Sequence, residues 1–94
     1  MTQPTTGKYA ERIAKGAEFL DAERPDWRSS IDLDRLQLAH CERCVLGQLK
    51  LWPVLDEKRP GEEAALGFDL PAEEFGVGYS GLDVEWRQYI EATR

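Results

Sequence analysis

The chain has 94 residues, one domain's worth, with 41% hydrophobic and 32% charged residues; that supplies a core and excludes wholesale disorder. It carries 12 basic against 18 acidic residues, a net charge of −6 with no basic stripe, which excludes phosphate-backbone binding as a main activity. No window reaches the roughly 18 apolar residues of a membrane span, and Met1–Lys8 lacks the apolar core of a secretory signal.

Taken in chain order, residues 1–7 read as a flexible polar terminus and 8–94 as a single helical domain. From Lys8 to Arg24 the apolar positions Tyr9, Ile13, Ala17 and Leu20 recur at helical spacing, with charged residues mostly on the other side. Pro25 ends this helix, because the residue before a proline is pushed out of the α region. Asp26 is then placed to cap a short turn through Trp27–Ser30.

Ile31–Leu38 is ambiguous. Its apolar residues at 31, 33, 36 and 38 fall on opposite faces of a helix, and as a strand the alternation slips once. We read a buried irregular connector, a short 3₁₀ turn capped by Asp32, with one short strand near 31–38 as the alternative. Cys41 to Trp52 reads as a central helix ending at Pro53, its stripe running through Cys41, Cys44, Val45, Gln48, Leu49 and Trp52 and widened by Leu46. Gly47 inside it costs about 1 kcal/mol relative to Ala. The charged segment Val54–Pro60 reads as an exposed loop.

Gly61–Leu66 is a short helix that Gly67 stops in the left-handed conformation. Pro71 fits the first position of another, with Glu73 and Glu74 in its first turn. Gly76, Gly78 and Gly81 limit regular structure before a last helix, in which Ser80 is the cap, Asp83 its partner, and Tyr79, Leu82, Trp86, Tyr89 and Ile90 the apolar face. The expected fold is mainly α: a small helical domain of three main helices plus short helical turns. Its expected core is Tyr9, Ile13, Leu20, Trp27, Val45, Leu49, Trp52, Leu82, Trp86 and Ile90. Any one of the three tryptophans left exposed is a natural interface anchor.

One cluster carries chemical potential. His40, Cys41 and Cys44 place two sulfurs one turn apart beside an imidazole, the spacing of a zinc site or a thiol-exchange site. Zinc wants four ligands, and with one histidine and two cysteines in the chain it needs an added carboxylate or a second copy across a homodimer. Thiol exchange wants the CxxC at a helix start after a strand, and the strands are missing. The plainer reading is two reduced thiols packed as small apolar groups, in a cytoplasmic protein with no cofactor. No nucleophile–base pair and no paired carboxylates in an apolar frame point to catalysis.

The charge is uneven. Residues 1–59 hold ten acidic and ten basic residues, whereas 60–94 hold eight acidic residues and only Arg87 and Arg94. That last third reads as a solvated surface, with an acidic face for a basic partner as the sharper alternative.

Gly16–Asp21 (GxxxLD), Pro25–Trp27 (PxW), Ile31–Leu38 (IDLDxLxL), Cys41–Leu49 (CxxCVLGQL) and Leu66–Asp69 (LGFD) together resemble a group of small uncharacterised proteins of tailed phages of actinobacteria. The absence of Asn and eight Arg against four Lys agree with a high-GC genome. The resemblance implies a phage origin and action in the host cytoplasm by binding a protein partner; it assigns no site residue.

Overall fold

The first helix, α1, spans Ala10–Glu23 because Ile13, Gly16, Ala17 and Leu20 form one stripe that disappears into the core. It stops where Arg24 turns extended (φ −152°, ψ 88°) ahead of Pro25. Its N-terminus has no side-chain cap of its own; the Tyr9 N–H instead donates to Glu85 Oε1 at 2.9 Å, a carboxylate from the far end of the chain. The structure, a computed structural model, describes residues 9–40 and 42–94. The segment 1–7 and Cys41, on which sequence expectations fell, lie outside the described residues.

The element order is α1, α2 (Trp27–Ser30), α3 (Val45–Leu49), α4 (Trp52–Lys58), a 3₁₀ helix (Ala72–Val77) and α5 (Ser80–Thr93). The fold is mainly α, and the described residues contain no strand. Helix α1 packs on α5 and α2 on α3. The radius of gyration, 12.1 Å, is that of a compact chain of this length.

The connector at 31–38 is a tight turn: Asp34 N–H donates to Asp32 Oδ1 at 3.0 Å and Arg35 N–H to Asp32 O at 3.1 Å. The Gln48 amide holds this turn in place, accepting from Asp32 N–H and donating to Asp32 O and Arg43 O.

Several expectations need correction. Within the helix expected over Cys41–Trp52, residues 42–44 form a turn, α3 covers Val45–Leu49 and Trp52 already belongs to α4. Lys50 adopts a left-handed conformation (φ 57°, ψ 40°) and closes α3 with bonds from Lys50 N–H to Gly47 O and from Leu51 N–H to Leu46 O. Pro53 opens α4 instead of ending a helix, since its missing N–H falls in the first turn, where no intrahelical partner is needed. The segment expected as the loop Val54–Pro60 is mostly that helix, which seats Leu55 at 0% exposure. Asp26 makes no side-chain cap to α2, and the cap position of α5 is Tyr79, with Ser80 already helical. Gly76 and Gly81 lie inside helical turns, leaving Gly78 as the break between the 3₁₀ helix and α5.

The turn at 62–68 closes with Phe68 N–H to Glu63 O and Gly67 N–H to Ala64 O, with Gly67 at φ 78° as its left-handed residue. This turn lies directly on α1. A Cβ on Gly16 would sit 2.1 Å from Leu66 O, and one on Gly67 would sit 3.0 Å from Ile13 N. The close approach drives Phe68 between Phe19 and Trp86, its ring stacked on Trp86 at 5.6 Å. Trp27 meets Trp86 edge-on at 6.1 Å. Both indole N–H groups are satisfied, Trp86 by Gly67 O at 2.6 Å and Trp27 by Asp21 Oδ1 at 2.9 Å. Of the expected core, Tyr9, Ile13, Leu20, Val45, Leu49, Leu82 and Ile90 are buried with Trp27 and Trp86, while Trp52 is half-buried and packs against the core's edge.

Candidate functional site

Cys44 is the N-cap of α3. Its Sγ accepts the Gly47 N–H at 3.3 Å, and the residue is 1% exposed. His40 is exposed, and its backbone carbonyl accepts the Arg43 and Cys44 N–H groups. Sulfur and imidazole therefore belong to one tight turn but face different surroundings, and among the described residues no three His, Cys, Asp or Glu side chains come together.

The acidic last third is largely engaged within the fold. Glu62 holds Arg59 through both oxygens, and Glu74 holds Arg12 likewise at 2.8 and 3.1 Å. Glu85 takes the Tyr9 N–H, Asp83 the Leu38 N–H at 2.6 Å, and Asp69 the Leu70 N–H and Tyr79 O–H. The Glu74 carboxylate raises the Arg12 pKa further above its ordinary value, and Arg59 lowers that of Glu62. Burial raises the Asp83 pKa, opposed by the Leu38 N–H and by Arg87. These carboxylates tie distant segments together, which sequence charge counting does not reveal.

Depressions mark the surface of the described residues. One, about 590 Å³, lies between α1 and the end of α4, lined by Phe19, Ala22 and Leu66 with Lys15, Glu18, Glu23, Lys58 and Arg59. Its charges are mostly spoken for: Lys58 Nζ binds Glu23 at 2.9 and 3.0 Å, and Arg59 is held by Glu62. The second, about 260 Å³, is a polar hollow along the Gln48 amide.

The third is chemically distinct. Leu38 and Ala39 from the connector, Trp52 from the start of α4, Phe68 and Asp69 from the Gly67 turn, and Tyr79 from the start of α5 enclose about 130 Å³. Asp69 Oδ1 accepts the Tyr79 O–H at 2.5 Å and the Leu70 N–H at 2.8 Å. Among the described residues, nothing donates to Oδ2. Aromatic faces and a carboxylate with an open oxygen thus share one small cleft. Sequence reasoning assigned Trp52 and Tyr79 to packing faces and missed Asp69; the signal was Gly67, whose left-handed turn throws Phe68 inward and leaves Asp69 beside Tyr79.

Comparison of the chain with family models, with curated proteins and with solved structures finds no match. No helix among the described residues is long and apolar enough to cross a membrane.

Proposed function

We propose that the chain is a small phage-type accessory protein that acts by protein–protein interaction, a binding module that modulates a host protein. The observation that supports it is the placement of Trp52. Trp27 and Trp86 are 0% exposed, whereas Trp52 is half-buried on the wall of the cleft with Asp69 and Tyr79. Partly exposed tryptophan in a recess with a polar group at its rim is the usual anchor of an interface. The resemblance to phage proteins points the same way.

A photo-crosslinking residue placed at Ala39, on the cleft, tests this against one placed at Glu18, in the α1–α4 groove. The expected result is a discrete adduct from Ala39 in host lysate, displaced by excess unlabelled protein but not by its Trp52→Ala variant. An adduct from Glu18 alone, or one that the variant displaces equally well, overturns the assignment of the cleft.

A further inference from the structure

The volume and the open oxygen of the cleft narrow the occupant. Resting on the binding-module reading, we infer that the Trp52–Asp69–Tyr79 cleft is a receptor for one lysine side chain of the partner protein. Small-molecule and cofactor sites span roughly 300–1,000 Å³, so about 130 Å³ is scaled to a side chain. Its lining supplies the two attractions an alkylammonium uses: aromatic rings for the stem and the cation, and a carboxylate oxygen for the charge.

The hydrogen bonds of Asp69 choose lysine over arginine. Oδ1 is saturated by Leu70 N–H and Tyr79 O–H, which leaves Oδ2 alone for a ligand. Guanidinium gains most from a carboxylate when it binds both oxygens in a fork; an ammonium is a point charge that needs one. The same two donors fix the carboxylate, so an incoming cation meets an oxygen already oriented. The net charge of −6 adds a long-range pull on a basic partner.

The test is an NMR titration of the isotope-labelled full chain with n-butylammonium chloride, matched for ionic strength, beside n-butanol as the neutral isostere. A saturable shift of the Trp52 indole N–H and the Ala39 amide with the ammonium, and none with the alcohol, is the expected result. Asp69→Asn keeps an acceptor for Leu70 and Tyr79 and puts a donor where Oδ2 was; it should weaken binding about tenfold or more. Should that variant fail to fold, Trp52→Leu read at the Ala39 amide removes the aromatic wall instead, with the same loss expected. A short peptide carrying one lysine should then bind better than its arginine counterpart. Equal response to alcohol and ammonium, or to lysine and arginine peptides, overturns the lysine assignment while leaving the crosslinking result to decide the binding module. Shifts confined to Glu73 and Glu91, or no saturable shift at all, overturn it too.

Discussion

The Asp83 carboxylate, on the first turn of α5, accepts the Leu38 backbone N–H at 2.6 Å across 45 positions of sequence. It therefore fixes the connector that carries Leu38 and Ala39 into the cleft wall. Burial raises the Asp83 pKa above its ordinary 3.8, despite the Leu38 N–H and Arg87. The folded chain thus binds this proton to higher pH than the unfolded chain, and this residue's contribution to stability falls as pH rises through the window that begins near 3.8. Asp83→Asn keeps the acceptor and removes the titration. In chemical denaturation, the stability of the Asn variant relative to wild type should increase from pH 3.5 to pH 7. Asp83→Ala leaves the Leu38 N–H without its acceptor and should cost about 1–2 kcal/mol at either pH.

Gly16 sits mid-helix, where Ala would be favoured by about 1 kcal/mol if the site were open. The added Cβ would lie 2.1 Å from a backbone oxygen, Leu66 O, and neither α1 nor the Gly67 turn has a flexible side-chain end there to yield. Gly16→Ala should therefore destabilise the protein by about 1–3 kcal/mol, the scale of overpacking. A urea midpoint at or above that of wild type would show that the turn can lift off α1.

Lys50 is the reverse case. It is exposed and holds φ 57° at the end of α3, a conformation that costs an L side chain roughly 1 kcal/mol and glycine almost nothing. Lys50→Gly should stabilise the protein by about 0.5 kcal/mol, the gain being trimmed by the larger unfolded-state entropy of glycine. Thermal unfolding checks the sign.

Lys50 also explains what was hard to read. Helices α1 and α5 were legible because their stripes are long and uninterrupted, and the turn at Gly67 because glycine announces a positive φ. The division of the central segment was not, since lysine carries no signal for a left-handed residue and Pro53 is compatible with a helix end or a helix start. The cleft was hidden for another reason: Leu38, Trp52, Asp69 and Tyr79 meet only after four segments have folded. The carboxylates on Arg12, Tyr9 and Leu38 are long-range pairs that composition records only as net charge.

Cys44 gives the sharpest test of how its thiol is used. Its Sγ caps α3 from within the core, at 1% exposure, so the sulfur contributes both a hydrogen-bond acceptor and packing volume. Cys44→Ala removes both and should cost about 1–3 kcal/mol, combining a lost cap with a small cavity. In a Cys41→Ser background the remaining thiol should be alkylated only as fast as the chain opens, so its rate should rise steeply with urea and track unfolding. The alkylation rate of an exchange-active thiolate would instead be high in the folded protein and nearly independent of denaturant. That outcome would place the sulfur at the surface and return thiol exchange to consideration.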